Sequence, residues 1–221
     1  MIIYQYDLVF QRLRQEHIEE LRQWRNADKI RSRMEYREYI TPEMQQAWFQ
    51  RVNNIEQYLY LIMSHKGKRI GEIHAKEPTN NRCEAGMFIW DDEYVDTHYP
   101  VIASVLMSDL NFYFMQNLFV NCKTLKTNPH AIAYNKNFGF KLCDGQENME
   151  NQLYTLEKRD YESNAKPVRR MLKNIYKDMD DIITIQLEPE DEKNGVAESA
   201  TRYYEQFDEQ KSPVRFQLIK K

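Results

Sequence analysis

The spacing of apolar positions changes several times along the chain, and each change marks an element. Residues 2–13 alternate loosely among Ile, Tyr, Val and Phe, which predicts a strand. Over residues 15–26, Ile18, Leu21 and Trp24 recur at helical spacing with Arg25 beside them, which predicts an amphipathic helix. Thr41-Pro42-Glu43 reads as a helix start. Thr41 caps, Pro42 takes the first position where its missing N–H costs little, and the acid suits the helix dipole. That helix carries Met44, Ala47, Trp48 and Val52. Runs at 58–64 and 69–76 flank a Lys66-Gly67-Lys68 turn and predict a hairpin, with residues 83–90 as a third strand. Residues 99–119 predict a helix with Val105, Leu106, Leu110, Phe114 and Leu118 apolar. A strand at 119–125, a helix opened by Asn128-Pro129 and closed by Gly139, and strands at 140–143 and 152–159 complete this part.

The remainder is a small α-β-α-β appendix. After Asn164-Ala165-Lys166-Pro167, residues 168–179 predict an amphipathic helix and 182–187 a strand. A helix over 190–207, running through Gly195, and a strand over 214–219 follow. This places a main domain at 1–163 and an extension at 164–221. The extension is too short for a core of its own, so it packs on the main domain or forms part of a homodimer contact. Its acidic run Glu188-Pro189-Glu190-Asp191-Glu192 reads as a solvated helix start rather than a metal site.

Composition narrows the class. In 221 residues, 42% hydrophobic and 29% charged, both signs are interspersed and the net charge is only -3, so no electrostatic footprint for nucleic acid exists. The 15 Tyr and 10 Phe sit inside periodic segments, which assigns them to packing rather than base stacking. Cys83, Cys122 and Cys143 are odd in number and lack a Cys-x-x-Cys pair, so free thiols in a reducing cytoplasm are expected, with no disulfide framework and no zinc site. No basic flank followed by an apolar region opens the chain, and no apolar run is long enough to span a bilayer, so neither a signal peptide nor a membrane segment is expected.

The stretch with most chemical content is Asn128-Pro129-His130-Ala131-Ile132-Ala133-Tyr134-Asn135-Lys136-Asn137-Phe138-Gly139-Phe140. Tyr134 lies four residues after His130, on the same helix face. This pattern resembles the CoA-binding, proton-donating helix of the GNAT acyltransferases. The order β-α-α-β-β-β-α-β-α-β-β is similar to that fold. Trp24-Arg25-Asn26, Ile40-Thr41-Pro42-Glu43, Ile70-Gly71-Glu72-Ile73 and Glu84-Ala85-Gly86-Met87-Phe88-Ile89 resemble the branch acting on nucleotide-linked amino sugars. The resemblance implies an α/β GNAT fold with a mixed central sheet flanked by helices. It also implies acetyl-CoA as acyl donor and a small-molecule primary amine as acceptor.

Site residues follow from that resemblance. It makes Tyr134 the acid for the departing thiolate, Glu72 or Glu84 the base, and the main chain of Met87, Phe88 and Ile89 the dipole holding the thioester carbonyl. His74, two residues from Glu72, shares its strand face. Arg25 and Asn26 match the acceptor side, and Asn128 the CoA-binding helix. For the Glu and His residues a surface or hydrogen-bonded structural role is the alternative, and for Arg25 the closing of a helix C-terminus.

One part of the family pattern is altered. The loop that cradles the CoA pyrophosphate normally carries glycines, because phosphates approach the main chain closely. Here it reads Val95-Asp96-Thr97-His98-Tyr99-Pro100, with both glycines replaced and Pro100 lacking an N–H. Either a protonated His98 meets a phosphate while Thr97 caps the helix ahead of Tyr99, or CoA binding has departed from the usual mode. Three functions therefore stand: small-molecule N-acyltransferase, non-catalytic GNAT-like binding or scaffold module, and acetyltransferase of ribosomal-protein N-termini.

Overall fold

The computed structural model describes residues 1–220. The first apolar run is a hairpin rather than one strand. β1 (Ile2–Gln5) and β2 (Leu8–Arg12) pair antiparallel around Tyr6, whose φ of 55° reverses the chain. A 3-10 turn leads into α1 (Ile18–Asn26), α2 (Asp28–Arg31) and α3 (Pro42–Val52), the last capped by Thr41 as expected. β3 (Tyr58–His65), β4 (Lys68–Thr79) and β5 (Arg82–Ile89) form an antiparallel meander. After a short α4 (Asp92–Val95) comes the central helix α5 (Tyr99–Asp109), closed by a π-helical turn over Leu110–Phe114. The expected helix to 119 thus stops early. Leu118 is exposed, and the N–H groups of Leu118 and Phe119 turn to the Asn81 carbonyl.

β6 (Phe119–Leu125), α6 (Pro129–Phe138), β7 (Lys141–Leu142) and β8 (Asn151–Glu157) follow. α6 opens with the Asn128 side chain accepting from the Ala131 N–H and ends at Gly139, φ 107°. No side chain fits that position without strain: a Cβ there would stand 2.3 Å from Asn164 Nδ2.

Alternation along β3 assigns the two faces of the sheet. Leu59, Leu61 and Met63 enter the larger core with α5, whose Ile102, Ala103 and Leu106 have no exposed surface, whereas Tyr58, Tyr60 and Ile62 meet α1, α2 and α3 on the other face. On that second face Trp24 stacks on Trp90 at 5.9 Å and ties α1 to the end of β5. Burial of such side chains contributes roughly 1.5–3 kcal/mol each.

The extension joins the same sheet, whose order is β10-β9-β1-β2-β3-β4-β5-β6-β8-β7. β9 (Ile183–Leu187) pairs antiparallel with β1, and β10 (Phe216–Lys220) pairs parallel with β9. The 163/164 division falls inside α7 (Lys158–Ile175), a helix that begins before the expected 168 and contains Pro167. Packing overrides the proline. Tyr161, Ala165 and Leu172 bury one face, and Tyr161 and Arg169 both bond the fully buried Asp109 of α5 across the break. The expected helix over 190–207 is two, α8 (Pro189–Lys193) and α9 (Val196–Gln206), because Gly195 takes φ 76°. No described helix is long and apolar enough to cross a membrane.

Candidate active site

β5 and β6 run parallel but pair over only three positions, Arg82 with Phe119, Cys83 with Val120 and Glu84 with Asn121. Beyond Glu84 the strands part, while β5 stays paired to β4 as far as Ile89. The N–H of Trp90 points to the Ile70 carbonyl. By strand alternation the main-chain groups of Phe88 face β4, and those of Met87 and Ile89 face the gap. Ordinary sheet pairing therefore leaves polar main-chain groups facing a cleft, where a ligand can meet them. The cleft has a volume of about 1110 Å³ and continues between α1, α2, α3 and the sheet face they cover.

The floor on that face is built by cross-strand register. Tyr60, His74 and Gly86 lie side by side on β3, β4 and β5, as do Glu72 and Phe88 on β4 and β5. The imidazole of His74 packs on Tyr60 at 4.7 Å and lies over Gly86, where a Cβ would come within 2.8 Å of its Cε1 and Nε2. Its Nδ1 is 3.0 and 3.2 Å from the two carboxylate oxygens of Glu72, which is only 2% exposed. Among the described residues no group bonds Nε2. A carboxylate fixing Nδ1 leaves Nε2 as the nitrogen that can accept a proton, so this pair has the arrangement of an oriented base.

Glu84 lies on the same face but is engaged differently. Lys76 holds it at 2.9 Å and Lys123 at 3.5 Å. Burial raises its carboxyl, yet the two ammonium groups outweigh it and leave the pKa below the ordinary value. A carboxylate so paired is a poor base, which separates it from Glu72. Arg25 lines the cleft with its guanidinium 5.7 Å from the Phe88 ring. Burial works against its charge and the nearby Glu72 supports it. Asn26 is a clamp outside the cleft, donating to the Ile40 carbonyl and accepting from the Ile40 N–H, both at 2.8 Å.

Tyr134 enters the cleft from α6. Its hydroxyl donates to the Pro100 carbonyl at 3.0 Å and pairs with Ser104 Oγ at 2.7 Å. Burial pushes the phenol up to about 12 although Ser104 pulls it down, so the proton is held at neutral pH. Asn128 also lines the cleft while capping α6. Cys83 thiol chemistry is disfavoured: burial pushes it up to about 12, and it donates to Asn111 Oδ1 at 2.8 Å.

The glycine-free loop is tied down by its own side chains. His98 does not face the cleft, since its Nε2 is 2.7 Å from the Tyr176 hydroxyl at the end of α7. The Tyr99 hydroxyl sits 3.0 Å from His65 Nε2 and 3.4 Å from Asp7. Thr97 Oγ1 donates to the Tyr94 carbonyl. Partners at Asp7, His65, Tyr94 and Tyr176 hold this loop in place of glycine turns. Only Val95, Asp96 and Pro100 of it reach the cleft. The parted strands thus leave main-chain groups of β5 open to a ligand, beside a loop without glycine. Among the described residues no group of three or more His, Cys, Asp or Glu could hold a metal ion.

Sequence reasoning missed Tyr60, Gly86, Trp48 and Ser104. Trp48, Met44 and Ala47, on the helical spacing of α3, wall the cleft, with Trp48 edge-on to Tyr60 at 5.1 Å. Only cross-strand register brings Tyr60 and Gly86 to His74, and no local signal carries it.

No curated protein matches the chain. Among solved structures, the apo nucleotide-linked sugar GNAT FdhC is similar over 78% of this chain and 98% of its own, with TM-score 0.65 at 17% identity. Spermidine N-acetyltransferase from Vibrio cholerae, in complex with CoA and spermine, aligns over 70% of this chain and 98% of its own, with TM-score 0.59 at 12% identity. RimL, the ribosomal L7/L12 alpha-N-protein acetyltransferase, aligns over 71% and 98%, with TM-score 0.57 at 15% identity. The profile of the Acetyltransferase (GNAT) domain matches residues 7–141, more than half of the chain, and together with the parted strands this places the protein in the GNAT acetyltransferase family.

Proposed function

We propose that the protein transfers an acyl group, acetyl above all, from acyl-CoA to a primary amine of a small molecule such as an amino sugar. The observation that carries this reading is the Glu72–His74 pair on the floor of a cleft that Tyr134 also lines. The thioester supplies an activated acyl carbon. Main-chain groups at Met87 and Ile89 orient its carbonyl from the free edge of β5. His74 Nε2 takes the proton of the attacking amine, and Glu72 holds the ring and supports the imidazolium. The N–C bond forms as the C–S bond breaks. Tyr134 turns its O–H from the Pro100 carbonyl and gives that proton to sulfur. The phenolate then regains a proton from solvent and the imidazolium releases one, so amine plus thioester become amide plus thiol.

The second reading, a GNAT-like binding or scaffold module, is favoured by the loop in which Thr97, His98 and Tyr99 are tied to the protein body. Calorimetric titration with acetyl-CoA and desulfo-CoA, with thiol release measured over amino sugars, polyamines and peptide amines, separates the two. The transferase reading expects binding and turnover, with His74→Asn lowering kcat by about 10²-fold or more. Absence of both binding and turnover selects the scaffold.

A further inference from the structure

Three arginines line the cleft from three elements: Arg25 at the end of α1, Arg33 after α2 and Arg51 in the last turn of α3. None of them makes an ion pair or a side-chain hydrogen bond among the described residues. Most arginines elsewhere are paired, as Arg14 is with Glu188, Arg69 with Glu20 and Arg169 with Asp109. Carboxylates do lie in the cleft but are taken or apart. Both oxygens of Glu72 turn to His74, and Glu84 is held by Lys76 and Lys123. Glu35, at the mouth, forms no ion pair with any of the three. Arg25 is the telling one, because it is half-buried against Phe88 and has no hydrogen-bond acceptor. A guanidinium presents five donors, and with no protein acceptor on them they are open to an acceptor that a ligand brings into the cleft.

The same cleft also carries apolar side chains, Trp48 edge-on to Tyr60 and Met44 among them. A polyamine would bring further ammonium groups against three guanidiniums and is disfavoured by like-charge repulsion. A planar fork matched to carboxylate or phosphate is what arginine provides best.

We infer that the acceptor is an amine carrying an anionic group, a phosphate or a carboxylate, which Arg25 binds while Arg33 and Arg51 draw it in from the mouth. This rests on the transferase reading of the same cleft, but its test does not depend on turnover. Binding of glucosamine, glucosamine 6-phosphate and glutamate is measured by calorimetry on the full chain, with and without desulfo-CoA. An anion-bearing amine is expected to bind at least about 10-fold more tightly than glucosamine, the scale of a charge-assisted hydrogen bond. Arg25→Gln should erase that difference, Arg25→Lys should restore part of it, and Arg170→Gln, on an exposed face of α7, should leave it unchanged. Preference for the phosphate identifies a sugar phosphate class, and preference for glutamate an amino acid class. Equal affinity for all three amines, or an anion preference that survives Arg25→Gln, overturns the inference whether or not the protein turns over. Thiol release with the same amines then tests the reaction itself. Selective anionic binding without thiol release would keep the subsite and refute the transferase.

Discussion

Gly86→Ala tests the floor of the cleft most directly. The added Cβ would stand 2.8 Å from Cε1 and Nε2 of His74, closer than real side-chain contacts allow. The ring cannot simply retreat, since Tyr60 packs on it at 4.7 Å and Glu72 holds Nδ1 at 3.0 Å. Overpacking of this kind costs about 1–3 kcal/mol. Replacing glycine in a strand returns about 0.4–1 kcal/mol through the unfolded chain, because Gly86 has no left-handed backbone to lose. The net expectation is a loss of about 1–2 kcal/mol, or roughly 2–8 °C in Tm for a chain of this size. In a His74→Ala background the clash is gone, so the same substitution should be neutral or stabilise by up to about 1 kcal/mol. For activity, a displacement of the imidazole by about 1 Å is enough to lower kcat by on the order of 10²-fold. Urea denaturation of the four members of this cycle and thiol-release kinetics on wild type and Gly86→Ala provide the readouts. An equal penalty in both backgrounds would show that Gly86 matters for its own strand and not for His74. Unchanged kcat in a folded Gly86→Ala would remove His74 from the reaction.

Other outcomes follow from individual contacts. Tyr134→Phe keeps the ring and loses the bonds to Pro100 and Ser104, so stability should fall by about 1 kcal/mol while kcat falls on the order of 10²-fold and acetyl-CoA affinity holds; turnover equal to wild type would exclude it as the acid. Burial, with the charges of Arg69 and Arg14, lowers the His17 pKa from 6.5 to about 4. The unfolded state therefore binds the proton first. Its stabilising share is fully present above pH 6.5 and is lost as pH falls toward 4, about 2 kcal/mol after allowance for screening, and His17→Gln should flatten the urea midpoint between pH 6.5 and 5. Arg169→Met leaves Asp109 buried without its cation, so unfolding free energy should drop by about 3–5 kcal/mol; a drop under 1 kcal/mol would show that Asp109 is neutral in the folded protein.

Local chemistry made several elements of this protein legible before any coordinates. Thr41 and Asn128 cap the helices they were expected to cap, and Gly139 ends α6 in the left-handed conformation. Such signals depend on a few neighbouring residues, so a linear reading captures them. Alternation along residues 58–89 likewise revealed the meander, because period-two burial is a local property of strands. The reading went wrong where a distant contact outvoted local preference. α7 runs through Pro167 because Asp109, Tyr161 and Arg169 clamp it on both sides, and Leu118 stands in solvent because Asn81 takes the chain out of the helix.

The candidate site divides the same way. Tyr134, Glu72 and Arg25 could be named from their motifs, but what distinguishes Glu72 from Glu84 is the partner each meets across the sheet, His74 for one and two lysines for the other. Strand register places Gly86 beneath His74 and Tyr60 beside it, and it involves residues far apart in sequence. His98 stood in the position of a phosphate-binding residue, yet the end of α7 carries Tyr176 to it and turns it away. Residue types and spacings could announce the family, since its helix caps and strand words are short-range. Which side chains share the cleft was settled only when the sheet paired, because proximity across strands is a product of tertiary folding and leaves no local trace.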